Sequence, residues 1–331
     1  MTNSSFNRPG AIALMQFDDG RTIEFIMGVE DILTGVAINK NSIFDLASVS
    51  KQFTAFSILL LEKYGLLHLN DYLLDFIPEV KLSQNNITLE NLIYHTSGLP
   101  CLFDIAEDNG IDYYSTFKNE DIIKGISKRK NLNFYPGTRH EYSNTGYILL
   151  AQIVEKVSGL SYPDFVKREI FLPLDMHDSF VSDGVSMEKE SVSGYQEKDN
   201  NIFFPVRSPW GVIGAGLVHS SANDLMKWGL NFSSVLVGGK ELIRKMLTPL
   251  PLITDTNIMI EDHISYCFGI ELDEDKSGKF YCHQGSTFGR ETYFVRSQEA
   301  AYTLAVLSNI EGYDVCSMAV RLFNGMTSIT T

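Results

Sequence analysis

Basic residues are scarce in this sequence of 331 amino acids. It contains 27 Lys and Arg against 41 Asp and Glu, which gives a formal net charge of -14 at pH 7. A charge of this sign repels phosphate backbones and anionic membrane surfaces. The sequence shows no cluster of Lys and Arg interleaved with aromatic residues that would offset the repulsion. We therefore expect no nucleic-acid partner.

Long apolar runs are also missing. None approaches the ~18 residues that a helix needs to cross a bilayer, so the sequence predicts no membrane span. The first residues, MTNSSFNRPGAIALMQF, lack the charged-then-apolar pattern of a secretion signal. We therefore expect a cytoplasmic protein, or a periplasmic or extracellular one if a leader has been removed.

Cysteine is rare as well, with four positions: Cys101, Cys267, Cys282 and Cys316. They show neither C-x-x-C spacing nor a dense framework, which is typical of reduced thiols. Cys267 and Cys282 could face each other across a predicted hairpin, but a disulfide is disfavoured. No H-x-H or C-x-x-C spacing indicates a metal site. We expect neither a metal nor a cofactor.

What the sequence does contain is 44% hydrophobic and 21% charged residues, the composition of an ordinary globular protein with a large core.

Strand signals lie towards both ends of the chain. AIALMQF and TIEFIMGV flank the turn DDGR and predict a β-hairpin. Four later stretches also predict strands: HISYCFGIEL, KFYCHQGS, RETYFVRS and AAYTLAVLSNI. A last predicted helix, over roughly 312–323, closes the chain.

Helix signals lie between these strands. The segment 49–64 is apolar nearly all round, as expected for a helix in the middle of a core, and Gly65 is its natural C-cap. NTGYILLAQIVEKVSG and SYPDFVKREIFLPL predict two further helices.

Strands at both ends with helices between them predict an α+β fold made of two domains. The first is a discontinuous sheet domain formed by residues 1–65 and 190–331. The second is a mainly helical domain, residues 66–189, inserted into the first.

An S-x-x-K pattern stands at the start of the apolar helix. The pattern occurs four times in the sequence, but only Ser48 begins a strongly apolar helix. Residues three apart share one helix face, so Ser48 and Lys51 can touch, whereas Ser50 points about 100° away from Lys51. The helix N-terminus also favours an anion beside Ser48. On this stretch alone, a simple N-cap serine and a solvated first-turn lysine remain the better explanation.

Two further patterns change this balance. Tyr142-Ser143-Asn144 is the only Y-x-N among the 15 tyrosines, and His283-Gln284-Gly285 is the only H-x-G among the 7 histidines. Each has a structural alternative: a buried aromatic residue in the first case, and a strand-end residue before a turn in the second. Three such patterns, in this order and in these settings, indicate a catalytic site.

The sequence resembles the serine β-lactamase and penicillin-binding-protein-like family, in particular its class C-like branch with esterases and D-amino-acid peptidases. The resemblance covers nearly the whole chain and rests on FDLASVSKQFTA, ITLENLIYHTSGLP, FYPGTRHEYSNTGYILLAQIVEKVSG, FLPLDM, GAGLVHSSANDLMKW and HQGSTFG. It implies a β-lactamase/transpeptidase-like fold, with an antiparallel sheet flanked by helices, an inserted helical domain and a site in the cleft between the domains.

Carried over by position, the resemblance implies a proton-handling pair beside a nucleophile. Ser48 would be acylated, Lys51 would accept its proton, and Tyr142 would share the proton relay. A serine hydroxyl is a poor nucleophile without such a base. A free lysine has a pKa near ~10.4, so Lys51 can act at pH 7 only if burial or a nearby cation lowers that value.

The resemblance assigns the remaining motif residues to substrate binding. Asn144 would hold the carbonyl side of the substrate. The backbone N–H groups of Ser48 and Ser286 would form an oxyanion hole. His283 and Gly285 would lie on the strand facing the site, where other members carry K-T-G. The site then lacks a fixed positive charge for a substrate carboxylate, which favours esters, small amides or D-amino-acid peptides over efficient β-lactam turnover.

The rival hypothesis is a catalytically silent relative that uses the same fold as a ligand sensor or scaffold. The presence of Ser48, Lys51 and Tyr142 favours an enzyme. A third possibility is slow acylation without deacylation, as in a penicillin-binding protein. His95, in a helix-to-loop turn, is interpreted as structural and bonded to nearby backbone, and Trp210 as part of the acyl pocket.

Overall fold

The computed structural model describes residues 7–82, 86–112, 114–182, 191–198, 202–250, 264–276 and 278–327. Its strands are β1 (Ala11–Phe17), β2 (Thr22–Met27), β3 (Ile43–Asp45), β4 (Phe180–Val181), β5 (Gly194–Lys198), β6 (Ile202–Val206), β7 (Val218–Ser221), β8 (Ile264–Tyr266), β9 (Glu271–Asp275), β10 (Gly278–Thr287), β11 (Arg290–Ser297) and β12 (Tyr302–Ser308).

Its α-helices are α1 (Lys51–Lys63), α2 (Leu73–Phe76), α3 (Leu89–Ile93), α4 (Leu102–Asp108), α5 (Asn119–Ser127), α6 (Asn144–Ser158), α7 (Tyr162–Val166), α8 (Ala222–Ser234), α9 (Gly239–Met246) and α10 (Val315–Thr327). A 3₁₀ turn, Ala47–Ser50, leads into α1, and a π turn, Lys167–Phe171, follows α7. None of these helices combines the length and apolar character that spanning a membrane requires.

Seven strands form one antiparallel sheet, in the order β2-β1-β12-β11-β10-β9-β8. Ala11 pairs with Met27 on one side and with Ser308 on the other, so the N-terminal hairpin lies beside the last strand. The sheet is therefore built from segments near both ends of the chain. The predicted fold class is confirmed by the solved structure described below, while the division into two domains stays a prediction.

Alternate side chains of β1 enter two different cores. Ile12 and Leu14 belong to the larger core, which contains residues of α1, α6 and α8. Ala13 and Met15 belong to a smaller core beneath α10. Successive residues of a strand point to opposite faces of a sheet. The sheet therefore carries a helical layer on each side, and α1 belongs to the thicker layer.

Helix α1 is the central helix of that layer. Every residue from Lys51 to Leu61 is buried, and the helix packs against α6, α7 and α9. It ends where the sequence predicts. Gly65 has φ of +72°, and the N–H groups of Gly65 and Leu66 donate to the carbonyls of Glu62 and Leu61. Because this Schellman arrangement needs a left-handed residue, glycine suits position 65.

One strand prediction is wrong. The stretch HISYCFGIEL, predicted as a single strand, forms β8 and β9 separated by a turn over residues 267–270. Its first residue, His263, lies outside the described residues. After this turn, Glu271 rather than a cysteine stands opposite Cys282. The chain's four cysteines are free thiols.

A buried ion pair ties the end of the N-terminal strand to the rest of the sheet. The Arg296 side chain is only 1% exposed, and its Nη1 and Nη2 atoms contact the two carboxylate oxygens of Asp18 at 2.6 and 2.7 Å. Arg296 also donates to Thr303 Oγ1 and to Ser233 Oγ of α8. The hydrogen bonds that Asp18 accepts from Arg296 and from the Ser233 hydroxyl hold the pKa of Asp18 below its ordinary value.

Replacing Asp18 by Asn should destabilise the fold, because it leaves a buried guanidinium without its counter-charge. We expect the free energy of unfolding at pH 7, measured by urea denaturation, to fall by about 3 kcal/mol. Since the pKa of Asp18 is lowered from 3.8, its stabilising contribution is present above that pH and is lost as the pH falls below it.

The control is Asp19→Asn, which alters an exposed pair with Arg21. This substitution should leave the denaturation midpoint unchanged, since exposed pairs contribute little to stability. Equal losses in Asp18→Asn and Asp19→Asn would contradict a special role for the Asp18–Arg296 pair.

Candidate active site

Ser48 lies on a sharp turn between β3 and α1. The Asp45 carboxylate accepts the N–H of Ala47 at 2.9 Å, and Ala47 has φ of +46°, a conformation that is uncommon for residues with a side chain. Ser48 follows within the 3₁₀ turn and is half-buried. The turn therefore presents the hydroxyl of Ser48 at the edge of the buried helix.

Lys51 lies one helical turn further along, and its amine is enclosed by protein. Its Nζ donates to Ser48 Oγ at 3.0 Å and to the carbonyl oxygen of Ala215 at 2.9 Å. None of the surface of Lys51 is exposed. Burial lowers the pKa of Lys51 to about 7, because a charged amine is unfavourable away from water. A substantial fraction of this amine is therefore neutral at pH 7.

Two tyrosines border the amine of Lys51. Its Nζ lies 4.9 Å from the ring centre of Tyr142 and 5.7 Å from that of Tyr147. Burial raises the pKa of Tyr142 above that of a free tyrosine, and a hydrogen bond with Ser48 opposes the rise. The Tyr142 hydroxyl therefore keeps its proton at neutral pH. Although 38% of Tyr142 is exposed, its hydroxyl is directed into the site and forms the hydrogen bond with Ser48.

His283 lies on β10, with its ring centre 6.4 Å from that of Tyr142. Its Nδ1 is 2.7 Å from the carbonyl oxygen of Gln284, which can only accept, so Nδ1 carries the proton and Nε2 is an acceptor. His283 is 3% exposed, and burial, assisted by the charge of Lys51, lowers its pKa to about 3. At neutral pH it therefore supplies no cation to the site.

Strand β10 passes so close to the Ser48 turn that only glycine fits at position 285. A Cβ on Gly285 would lie 2.4 Å from the carbonyl oxygen of Leu46 and 3.0 Å from the nitrogen of Ser48. The next residue, Ser286, donates its hydroxyl to Glu291 at 2.9 Å. This close approach brings together the two backbone segments that were predicted to form an oxyanion hole.

A cavity of about 170 Å³ opens beside the hydroxyl of Ser48. Ser48, Asn144 and Ser286 line this cavity. Lys51 does not line it and contacts Ser48 from the protein interior. The rest of the wall is largely apolar and includes Leu102, Phe103, Trp210, Val212 and Ala215. A larger neighbouring cavity of about 310 Å³ shares the wall residues Asp45 and Trp210 with the first one. Of these two cavities, Ser48 lines only the smaller.

Sequence reasoning missed one polar group of the site and, apart from Trp210, did not name the individual residues of its apolar wall. The Ala215 carbonyl that binds Lys51 lies 164 positions away along the chain, and no side-chain motif reports a main-chain acceptor. Leu102 and Phe103 follow the HTSGLP stretch, but their place beside Ser48 depends on the tertiary fold. Within the described parts of the chain, no group of three or more His, Cys, Asp or Glu is arranged to hold a metal ion.

Comparison with known proteins finds relatives over nearly the whole chain. Penicillin-binding protein 4* of Bacillus subtilis (strain 168) is 30% identical over 294 residues, which are 83% of this chain and 62% of the relative. A D-aminopeptidase of Cereibacter sphaeroides is 24% identical over 307 residues, 92% of this chain and 58% of the relative. The chain thus spans less than two thirds of the length of these two proteins.

The fold and the family are also matched. The crystal structure of a penicillin-binding protein from Bacillus halodurans has a TM-score of 0.81 with this chain at 24% identity, covering 94% of this chain and 95% of the other. A family model described as Beta-lactamase matches residues 5–323. The chain therefore belongs to the beta-lactamase family.

Proposed function

We propose that this chain is a serine hydrolase of the class C-like branch, acting through an acyl-Ser48 intermediate on esters, small amides, D-amino-acid peptides or β-lactams. One observation carries the proposal. A wholly buried lysine amine, with its pKa lowered to about 7, lies 3.0 Å from the hydroxyl of Ser48. The relative named as a D-aminopeptidase supports the amide part of this substrate range.

Acylation begins when the neutral amine of Lys51 accepts the hydroxyl proton of Ser48, as Oγ forms a bond to the substrate carbonyl carbon. In the neutral amine, one N–H donates to Ala215 and the lone pair faces Ser48, so across the 3.0 Å contact the Ser48 hydroxyl becomes the donor. The N–H groups of Ser48 and Ser286 stabilise the oxygen that becomes negative.

The tetrahedral intermediate then loses its leaving group. The carbon–oxygen or carbon–nitrogen bond breaks, and the proton held by Lys51 reaches the leaving atom through the hydroxyl of Tyr142. Water attacks the acyl-Ser48 ester in the second step and gives its proton to the same pair. The acid product departs, and Ser48 regains its hydroxyl proton.

The cavity wall favours a substrate with a small apolar or aromatic acyl group. Trp210 is held by aromatic contacts with Phe103, Phe117 and Phe288, at ring-centre distances of 5.2, 5.7 and 5.0 Å. Uncharged His283 offers no partner for a substrate carboxylate, which weighs against efficient β-lactam turnover. We therefore rank ester and amide substrates above β-lactams.

Replacing Ser48 by Ala should abolish acylation. With a short p-nitrophenyl ester, we expect hydrolysis to fall by roughly 10³-fold or more, because the nucleophile is removed. Intact mass recorded at early times should show an acyl adduct on the wild type and none on the variant. Ser50→Ala is the matched control, since Ser50 lies in the same turn but its hydroxyl accepts the N–H of Val218 and takes no part in this mechanism.

Each outcome of this experiment identifies one hypothesis. Turnover that depends on Ser48 supports the hydrolase. An adduct that persists on the wild type without turnover would indicate behaviour of the penicillin-binding-protein type. If neither esters nor β-lactams give an adduct, the sensor or scaffold hypothesis replaces the enzyme.

The acylation rate should rise with pH through about 7 and then level off, because only the neutral amine of Lys51 can accept the Ser48 proton. The measurement is kcat/KM for the p-nitrophenyl ester between roughly pH 5 and 9. A rate that still rises tenfold per pH unit at the upper limit would show that the pKa of Lys51 is not lowered.

Stability provides a second measurement of the same group. Between pH 7 and 10.5 the unfolded chain binds more protons at Lys51 than the native protein does, so the free energy of unfolding rises with pH over that interval. Lys51→Met should be inactive and should lack this part of the pH dependence.

Trimming the cavity wall should change substrate preference more than it changes the chemical step. We expect Trp210→Ala to lower kcat/KM for p-nitrophenyl phenylacetate by roughly 10-fold or more relative to p-nitrophenyl acetate, through the loss of apolar contact. Phe25→Ala, at a half-exposed position on the edge strand β2, is the control and should leave the ratio unchanged. An unchanged ratio in Trp210→Ala would place the acyl group elsewhere.

A further inference from the structure

Tyr142 lies on a short segment without regular secondary structure. Residues 139–143 precede α6 as irregular backbone, so no helix or strand fixes the direction of this side chain. A proton-transferring group has to be held within about 0.5 Å of its working position. Some other part of the protein must therefore position Tyr142 relative to Ser48.

His95 accepts hydrogen bonds from the backbone N–H groups of the two residues on either side of Tyr142. The carbonyl oxygen of His95 accepts the N–H of Glu141 at 2.9 Å, and its ring Nδ1 accepts the N–H of Ser143 at 3.1 Å. These two bonds fix the backbone immediately before and immediately after Tyr142. A single residue 47 positions earlier thus holds the segment at two points.

The ring of His95 also supports the ring of Tyr142. Their centres lie 4.4 Å apart with the planes tilted by 37°. On its other sides, His95 packs against the buried rings of Tyr147 and Tyr266, at 5.1 and 4.6 Å. The imidazole therefore fills the space behind Tyr142 and limits movement of its ring away from Ser48.

The backbone and protonation state of His95 suit this arrangement. His95 has φ of +57°, in the left-handed region, which turns the chain after α3. Because Nδ1 accepts a bond from Ser143, the ring proton is on Nε2, which is buried and has no hydrogen-bond partner in the described structure. Burial, the neighbouring His140 and Lys51 all keep the pKa of His95 low, so Nδ1 stays an acceptor.

We propose that His95 is a positioning residue, which acts through Tyr142 by accepting the backbone N–H groups of its two neighbours, Glu141 and Ser143, and by packing against its ring. This inference rests on the proposed role of Tyr142 in proton transfer. The geometry also assigns separate tasks to the two parts of His95: the acceptor at Nδ1 holds the backbone, and the ring supports the tyrosine.

Two substitutions separate these tasks. His95→Asn places an acceptor near the position of Nδ1 and tolerates the left-handed backbone, whereas His95→Phe retains a ring but has no acceptor. We expect His95→Phe to lower kcat for the p-nitrophenyl ester by roughly 10²-fold with KM little changed, as misplacing a catalytic group does. His95→Asn should recover most of that loss.

The control is His140→Asn. The ring of His140 lies in the same cluster, 5.8 Å from that of His95, but none of the hydrogen bonds described for residues 141–143 involves His140. This variant should keep kcat close to that of the wild type. Equal losses in His95→Asn and His95→Phe, or a similar loss in His140→Asn, would overturn the assignment of the backbone bond as the positioning contact.

Amide hydrogen exchange measured by mass spectrometry tests the positioning independently of activity. In His95→Phe, peptides that contain residues 141–143 should exchange faster than in the wild type, while peptides of α1 keep their protection. Unchanged exchange at residues 141–143 would refute the role of His95 even if the enzyme is active. If exchange rises as expected but wild-type Ser48 is never acylated, the proposed hydrolase function fails and the structural role of His95 stands.

Discussion

The structure depends on placing a primary amine inside an apolar core. Helix α1 is buried from Lys51 to Leu61, and the same burial that stabilises its apolar side chains removes Lys51 from water. Burying a charge is costly, and the group responds by favouring its neutral form, so the pKa of Lys51 is lowered to about 7. Its position in the core is therefore the main reason that a substantial fraction of this lysine is neutral at pH 7.

The amine can stay there because other parts of the chain supply its contacts. The Ala215 carbonyl accepts one hydrogen bond from the amine, and the rings of Tyr142 and Tyr147 lie close to its nitrogen. On the opposite side, β10 closes on the Ser48 turn at Gly285, where a side chain would collide with the turn's backbone. Glycine at this position allows close approach of two backbone segments and is not needed for an unusual φ. That approach places strand β10 directly against the Ser48 turn.

Much of this arrangement could be predicted from the sequence because its signals are local. The hairpin β1–β2, helix α1 with Gly65 and helix α6 follow from periodicity and capping, and three short motifs pointed to residues that the structure brings together around Ser48. The split between β8 and β9 was missed, since an apolar run does not reveal a turn inside it. The sequence indicated that His95 bonds to backbone but not that its partners are Glu141 and Ser143, because contacts between distant segments depend on the fold.

Two buried histidines near Lys51, His95 and His283, clarify why Lys51 alone among these three groups titrates near neutrality. His95 and His283 carry their ring protons on opposite nitrogens, since one accepts from a backbone N–H and the other donates to a backbone carbonyl. Burial and the charge of Lys51 favour the neutral form of both rings. Protonating either histidine would place a second cation near Lys51 and further disfavour its charged form. In the proposed mechanism, the proton that moves in acylation is therefore left to Lys51 and Tyr142, and the uncharged surroundings would suit an uncharged ester or amide.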